Sequence, residues 1–208
     1  NHNCVILDDG SVSCWGRNVE GQLGDGTTVN RDTPTKTLSF GVENSAVAIS
    51  SGHQHTCVIL DDGSVSCWGT IREEANSIYL NTPTQISSFG AGRTAVAITS
   101  GDYHSCAILD NGSVSCWGGS LIGDGTVYWR DIPTQTASLG IGRTAVAITA
   151  GYQHTCVILD DGSVKCWGGN SQDQIGNGAF GQREAPTQTS SLGAGRTAVG
   201  ISAGWYYT

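Results

Sequence analysis

Residues 52–69 read GHQHTCVILDDGSVSCWG, and this stretch decides the fold. Apolar and polar residues alternate on both sides of an Asp61-Asp62-Gly63 turn, which is the pattern of a β-hairpin. Related stretches occur at four places, with first cysteines 53, 49 and 50 residues apart. A period of this length indicates tandem supersecondary units. In each copy two cysteines stand ten residues apart: Cys4 and Cys14, Cys57 and Cys67, Cys106 and Cys116, and Cys156 and Cys166.

The register of the hairpin predicts how these cysteines pair. If residues 8–10 form a three-residue loop with Gly10 in the left-handed region, Cys4 lies directly opposite Cys14. A two-residue Asp-Gly loop would instead place Cys4 opposite Trp15. Opposed residues at a non-hydrogen-bonded position have Cβ atoms close to disulfide distance. We therefore expect the three-residue loop and one disulfide within each copy.

Cysteine chemistry also indicates the compartment. A zinc site needs ligands at spacings such as Cys-x2-Cys, and a ten-residue separation across a hairpin does not supply them. Disulfides persist in oxidising surroundings. The sequence therefore predicts an extracellular or cell-surface protein.

The rest of each copy supplies further strands. A variable stretch follows each Trp-Gly and leads to a Pro-Thr element and then to a short apolar strand (SAVAIS, TAVAITS, TAVAITA or TAVGISA). Such units suit the four-stranded blades of a β-propeller, so the predicted fold is all-β. The repeats are placed at residues 1–51, 52–100, 101–150 and 151–203, with the start of a further repeat at 204–208. The first repeat begins within a blade.

The motif resembles the regulator of chromosome condensation repeat, which joins Gly-x-x-His-Thr, Leu-x-x-Gly-x-Val and Trp-Gly to Gly-Gln-Leu-Gly. GHQHTCVILDDGSVSCWG and the NVEGQLGDGT of residues 18–27 carry the resemblance, which extends over essentially the whole chain. The second copy departs from it, with TIREEANSIY at 70–79, and is expected to form an atypical blade. The resemblance implies a ring of about seven blades. Four repeats therefore point to a segment of a larger ring or array.

Composition excludes several classes of function. The net charge of −8 argues against a nucleic-acid surface, which requires clustered Lys and Arg. No run of eighteen apolar residues predicts a membrane span. No asymmetric catalytic constellation departs from the repeat, so we expect neither an enzyme nor a cofactor.

Several side chains recur once per repeat. Each of them can be interpreted either as a structural residue or as part of a functional site. A histidine ring could bind metal, but histidines on successive blades are expected to be structural. Tryptophans could stack on a ligand, but are expected to fill the space between blades. The paired acids fit turn formation and the arginines fit ion pairs. These residues are His2, His55, His104 and His154; Trp15, Trp68, Trp117 and Trp167; Asp8–Asp9, Asp61–Asp62 and Asp160–Asp161; and Arg93, Arg143 and Arg196.

Non-repeated residues are the candidates for recognition. Asn111-Gly112-Ser113 is an N-glycosylation sequon at a hairpin tip, where Asn-Gly is equally a favourable turn pair. Aromatic residues in the variable stretches 17–32, 70–81, 119–131 and 169–185 are candidate partner contacts. They are Tyr79, Tyr128, Trp129 and Phe180.

Two functions are consistent with these features. The first is a non-catalytic structural or adhesive repeat protein of a cell surface, self-associating into an oligomer or filament. The second is a secreted propeller that binds a protein or glycan through its variable loops. Self-association with loops indifferent to substitution would favour the first. Loss of a partner when Trp129 becomes Ala would favour the second.

Overall fold

The computed structural model describes residues 1–41, 44–72 and 77–208. These residues form fifteen β-strands and no helix, which confirms the all-β prediction. The strands are β1 (His2–Ile6), β2 (Val12–Gly16), β3 (Arg31–Lys36), β4 (Ala46–Ser51), β5 (His55–Leu60), β6 (Val65–Arg72), β7 (Ser77–Gln85), β8 (Ala95–Ser100), β9 (Ser105–Leu109), β10 (Val114–Trp117), β11 (Thr134–Gln135), β12 (Ala145–Ala150), β13 (His154–Leu159), β14 (Val164–Gly168) and β15 (Arg183–Gln188).

The strands form four separate antiparallel sheets. Blade 1 has the three strands β1–β3, while blade 2 (β4–β7), blade 3 (β8–β11) and blade 4 (β12–β15) each have four. Strand β4 contacts both β1 and β8, and β8 contacts β12, so neighbouring blades meet along their first strands. This arrangement is four consecutive blades of a β-propeller.

The hairpin of blade 1 has the predicted register. Cys4 is the partner of Cys14, and the Leu7 N–H donates to the Ser11 carbonyl across the turn (2.8 Å). Gly10 has a φ of 74°, the left-handed conformation that the three-residue loop requires. The other three blades repeat this register, and all eight cysteines are oxidised. The disulfides are the predicted Cys4–Cys14, Cys57–Cys67, Cys106–Cys116 and Cys156–Cys166.

Blades pack on one another through two different faces of each hairpin. The face that carries the disulfide meets the tryptophan face of the following blade, as when Cys14 of blade 1 packs in one cluster with Val58 and Trp68 of blade 2. Equivalent clusters join blade 2 to blade 3 and blade 3 to blade 4. The alternation of the hairpin therefore serves two interfaces at once, because successive side chains point to opposite faces.

The repeats read from the sequence are offset from the sheets. Residues 52–100, for example, supply the last three strands of blade 2 and the first strand of blade 3. Blade 2 is atypical, as expected, because Thr70 pairs with Tyr79 and extends the hairpin of β6 and β7. Residues 73–76 of that variable stretch lie outside the described residues.

The fourth apolar strand, TAVGISA at 197–203, was predicted wrongly. Residues 198–203 form no regular strand, although Ala198 and Ile201 still pack against blade 4. The three equivalent segments form a ladder with the hairpin strand that follows them, and residues 198–203 have no such ladder within the described ranges. A strand is defined by its ladder of hydrogen bonds, so apolar sequence alone does not form one.

The described ranges contain no helix of the length and hydrophobicity that crossing a membrane requires.

Candidate functional site

The repeated histidines connect each blade to the next. His2 Nε2 of blade 1 lies 2.7 Å from Thr56 Oγ1 of blade 2, and this hydroxyl donates to the Gln22 carbonyl (3.0 Å). Because the threonine donates its only proton to Gln22, the imidazole must be the donor at Nε2. Equivalent contacts of 2.7 to 2.8 Å join His55 to Ser105, His104 to Thr155 and His154 to Thr208. The histidines are therefore structural residues of the blade interfaces.

Burial keeps these imidazoles neutral. It is the main cause that lowers the pKa of His2 to about 4. Burial also lowers the pKa of His55 to about 4 and that of His104 to about 3. Among the described residues, no three His, Cys, Asp or Glu side chains are grouped as metal ligands.

The repeated tryptophans fill the interfaces between blades. Trp68 and Trp167 are completely buried and Trp117 is 5% exposed, whereas Trp15 of blade 1 is half-buried. The Trp68 indole donates to the Gln22 carbonyl at 2.8 Å. Gln22 therefore accepts hydrogen bonds from two side chains of the following blade.

The paired acids and the arginines make local contacts at the hairpin tips. Asp62 Oδ1 accepts the Ser64 N–H at 2.8 Å, and hydrogen bonds from Ser64 lower the pKa of Asp62. Asp9 and Asp161 make the same contact with the serine two residues on. Arg93 pairs with Asp110 at 3.2 Å, and Arg143 pairs with Asp161 at 3.1 Å. These groups shape the turns and do not form a carboxylate dyad.

The aromatic residues of the variable stretches lie on three different blades. Tyr79 on blade 2, Tyr128 on blade 3 and Phe180 on blade 4 are 60%, 63% and 87% exposed. Trp129 is half-buried and lines a cavity of about 90 Å³ together with Tyr152. Of the four predicted contacts, Trp129 is the one that lies beside a residue of the site described next.

Sequence reasoning missed a cluster formed by the residue that follows the recurring glycine of each repeat. We call the four residues His53, Asp102, Tyr152 and Trp205 the central mouth. They come from four successive repeats and line one cavity of about 220 Å³. One glycine precedes each of them: Gly52, Gly101, Gly151 and Gly204.

Backbone contacts bring these loops together. The His53 N–H donates to the Gly101 carbonyl (3.2 Å), and the Tyr152 N–H donates to the Trp205 carbonyl (2.9 Å). A Cβ added to Gly101 would lie 2.5 Å from the carbonyl oxygen of Gly151, too close for any other residue type. The glycines therefore allow the approach that places four unlike side chains side by side.

The central mouth combines a buried carboxylate with aromatic rings. His53 Nδ1 lies 2.9 Å from Asp102 Oδ1, and the Asp102 side chain is 1% exposed. The negative charge of the Asp102 carboxylate is the main cause of the raised pKa of Tyr152. Asn1 Nδ2 lies 3.4 Å from the other nitrogen of His53.

Trp205 is the centre of the aromatic contacts. It stacks on Tyr152 with ring centroids 4.8 Å apart and an interplanar angle of 13°. The edge of His53 meets it at 5.3 Å and Tyr206 meets it at 6.3 Å. Trp205 remains 48% exposed, so this group of rings is open to solvent.

One sequence signal pointed to this site. Within nearly identical repeats, the position after the glycine holds His, Asp, Tyr and Trp in turn. At this position the loops at the inner ends of neighbouring blades converge, so equivalent residues of successive repeats line one cavity.

Family models described as the regulator of chromosome condensation (RCC1) repeat match residues 9–59, 95–121 and 145–174. Among curated relatives, the ultraviolet-B receptor UVR8 of Arabidopsis thaliana is 38% identical over 69 residues, covering 33% of this chain and 15% of the receptor. The Drosophila melanogaster regulator of chromosome condensation is 32% identical over 79 residues, covering 38% of this chain and 14% of that protein.

Solved structures of low sequence identity share the fold. Human WBSCR16 superposes with a TM-score of 0.86 at 19% identity, over 99% of this chain and 54% of that one. Prp20p of Saccharomyces cerevisiae superposes with a TM-score of 0.75 at 19% identity, over 92% of this chain and 49% of that one. The ectodomain of the Arabidopsis thaliana receptor kinase ACR4 superposes with a TM-score of 0.54 at 23% identity, over 98% of this chain and 53% of that one. The chain thus spans about half the length of these structures.

Proposed function

The chain belongs to the regulator of chromosome condensation (RCC1) repeat family, and from this premise we propose that it is a non-catalytic binding module of an extracellular propeller. The observation that carries the proposal is the convergence of four unlike side chains on one cavity. Ligand sites commonly combine apolar walls with a few polar groups, and the central mouth has this composition. Tyr152 also lines the cavity beside Trp129, so the ligand surface extends from the mouth onto blade 3.

The extracellular location is supported by the disulfides. Four of them lie within blades, in contacts that a reducing cytosol would not preserve. A similar fold occurs in a solved structure described as the ectodomain of a receptor kinase. Mass spectrometry of the native secreted protein without reduction tests this part of the proposal. Free thiols at the hairpin cysteines would contradict it.

Binding is favoured over catalysis by the surroundings of His53. Its two ring nitrogens face Asn1 and Asp102. Within the part of the chain that the structure describes, no hydroxyl or thiol is hydrogen-bonded to this imidazole, as an activated nucleophile would be.

Relatives support a macromolecular ligand. One structure is described by the binding of Prp20p to Gsp1p and histones, and another contains Kap60 bound to yeast RCC1. We therefore propose a protein partner for the central mouth. The net charge of −8 is unfavourable for nucleic acid.

The test compares variants of the oxidised chain in binding to each candidate ligand by biolayer interferometry. We expect Trp205→Ala to weaken binding at least tenfold and the exposed Phe180→Ala to leave it unchanged. Thermal unfolding of both variants verifies that each is folded. Ligands that tolerate Trp205→Ala but not Phe180→Ala would place binding on the outer loops and overturn the proposal.

A second candidate function, self-assembly into a structural or adhesive oligomer, rests on the open face of blade 1. Val5 and Leu7 are 39% and 43% exposed, whereas the equivalent Val58 and Leu60 of blade 2 are 0% and 2% exposed beneath blade 1. Another blade of this type would cover the face. Light scattering tests this candidate: a mass above that of the single chain that falls with Val5→Glu would support it. A single-chain mass at all concentrations would contradict it.

Glycosylation of Asn111 remains a further proposal. Asn111 lies at an exposed hairpin tip, where its Oδ1 accepts the Ser113 N–H at 3.0 Å. A shift in intact mass after treatment of the secreted protein with an N-glycosidase would support modification. An unchanged mass equal to that of the sequence would assign Asn111 to the turn alone.

A further inference from the structure

We infer that the central mouth, together with the cavity that adjoins it at Tyr152, binds a proline-rich segment of a partner protein in the polyproline II conformation. This inference rests on the proposed binding function and names the chemistry of the partner. Its basis is the juxtaposition of two small cavities that share one tyrosine and are both lined by aromatic rings.

The two cavities form one extended binding surface. The central mouth has a volume of about 220 Å³, and the second cavity, of about 90 Å³, is lined by Tyr103, Trp129 and Tyr152. Both are smaller than the clefts of about 300 to 1,000 Å³ that hold drug-sized molecules. A ligand that fills both is therefore an extended chain with one side chain in each cavity.

Aromatic rings form much of this surface and hold one another in place. Trp205 stacks on Tyr152 with ring centroids 4.8 Å apart, and Tyr206 meets these two rings edge-on at 6.3 and 5.4 Å. The ligand thus meets a largely preformed surface, which reduces the entropy lost on binding. Grooves lined by aromatic side chains are the sites at which proline-rich segments dock.

The backbone of a proline-rich segment also matches the surface. A polyproline II helix has no internal hydrogen bonds, so its carbonyl groups remain free to accept, and it advances about 9 Å in each turn of three residues. Trp205 is 48% exposed, and an indole N–H can only donate. Prolines one turn apart can therefore place a ring in each cavity while a carbonyl group between them accepts from Trp205.

The charges at the surface favour an uncharged segment. Within the described ranges, no lysine or arginine lines either cavity, and the one carboxylate is that of Asp102, whose side chain is 1% exposed. A charged side chain of the partner would leave water at this surface without meeting an exposed opposite charge. A proline ring has no charge to desolvate.

The backbone at the second cavity is a separate sign of a ligand. Leu121 lines this cavity with a φ of 56°, in the left-handed region that residues other than glycine seldom adopt. Unfavourable backbone conformations of this kind cluster at ligand sites. The conformation of Leu121 is explained if its apolar side chain contacts a ligand ring in the cavity.

The experiment titrates the oxidised chain with acetylated nonaproline amide, a capped glycine-serine nonapeptide and chitohexaose. Binding is followed through the indole N–H signal of Trp205 in ¹H–¹⁵N NMR spectra, which is assigned by its loss in Trp205→Phe. We expect saturable shifts with nonaproline alone. Shifts with chitohexaose alone would assign the surface to a glycan, and equal shifts with the glycine-serine peptide would show that the polyproline II conformation is not recognised. Either result, or no response to nonaproline, would overturn the inference.

Two neighbouring aromatic residues provide a matched comparison. Trp129→Ala removes a ring from the second cavity and is expected to weaken nonaproline binding at least fivefold. Tyr128→Ala removes a ring that is 63% exposed and lines neither cavity, and is expected to leave binding unchanged. Equal effects of the two substitutions would contradict the inference.

A second variant keeps the test decisive if Trp129→Ala does not fold. Leu121→Asn removes an apolar side chain from the same cavity, and asparagine adopts the left-handed conformation more readily than leucine. This variant should remain folded, as thermal unfolding verifies, and should bind nonaproline severalfold more weakly. Unchanged binding by the folded variant would refute the role of the second cavity.

Failure of this inference can be distinguished from failure of the binding function. A protein ligand that requires Trp205 but is not displaced by nonaproline would retain the binding function and exclude the proline-rich segment. Ligands that are insensitive to Trp205→Ala would refute the binding function of the central mouth itself.

Discussion

Mild acid should destabilise the chain through its buried histidines. His2 and His55 have pKa values of about 4 and His104 of about 3, all lowered chiefly by burial, against 6.5 for a free imidazole. Between these limits the unfolded chain binds protons that the folded chain does not bind. The stability that comes from keeping these histidines neutral is therefore fully present above pH 6.5. It is lost as the pH falls from 6.5 towards the pKa values of the folded chain.

The magnitude follows from the size of the shifts. Lowering the pH from 7 to 5 should remove about 2 kcal/mol for each of the three histidines, and roughly 6 kcal/mol in total. Protonation places a new N–H at Nδ1, and for His2 that atom has no hydrogen-bond acceptor within the described ranges. This interval lies above the titration of Asp25, where hydrogen bonds from Thr27 and Arg31 outweigh the effect of burial and lower the pKa.

Urea titration at pH 7, 6 and 5, followed by tryptophan fluorescence, measures this loss. The His104→Gln variant keeps a donor near Thr155 but removes one titrating group. It should be less stable than the parent at pH 7 and should lose about 2 kcal/mol less on going to pH 5. Stability that is flat between pH 7 and 5, or an identical loss in the variant, would refute the assignment of neutral histidines to the blade interfaces.

Three further predictions concern packing within and between the blades. Trp68→Phe should lower the free energy of unfolding, measured by urea titration, by about 1 kcal/mol more than Trp167→Phe. Trp68 donates a hydrogen bond, whereas Trp167 Nε1 has no partner among the described residues. Equal losses in the two variants would contradict this explanation. Gly63→Ala should lower the melting temperature more than Gly90→Ala. A Cβ added at Gly63 would lie 2.4 Å from the Thr94 Cβ, whereas a Cβ added at Gly90 would have no atom within 4 Å. A larger loss for Gly90→Ala would contradict this packing. Under limiting reductant, Cys4 should be alkylated before the cysteines of blades 2 to 4, because Cys4 is partly exposed and the others are buried. Mass spectrometry measures the order of alkylation. Simultaneous labelling of all the cysteines would contradict the explanation.

Local features of this fold could be predicted from the sequence because short-range chemistry determines them. The turn at Asp8-Asp9-Gly10 fixes the hairpin register, and the register fixes the pairing of Cys4 with Cys14. The roles of the histidines and tryptophans also follow from their recurrence once per repeat. Their partners could not be read in this way: the acceptor for Thr56 and Trp68 is the main-chain carbonyl of Gln22, more than thirty residues earlier.

Features that depend on a neighbouring blade were harder to predict. TAVGISA at 197–203 has the composition of its three relatives, but within the described ranges it forms no ladder with a hairpin strand as they do. Trp129, a predicted loop contact, lines a cavity together with Tyr152 of the next blade, which its own repeat does not indicate. The central mouth is a property of several blades in a partial ring, so no single repeat contains it.

The division between repeated and variable positions explains how a regular scaffold acquires an irregular site. The histidine, its hydroxyl partner and the tryptophan each contact an adjacent blade. A substitution at any of these positions therefore alters the contact with the residue that packs against it. The residue after each inner glycine is placed in part by its backbone, as in the hydrogen bond from His53 N to Gly101 O. Its side chain lines the cavity and lies outside the apolar clusters that join the blades. Substitutions at His53, Asp102, Tyr152 and Trp205 would therefore change the lining of the cavity while those apolar clusters are retained.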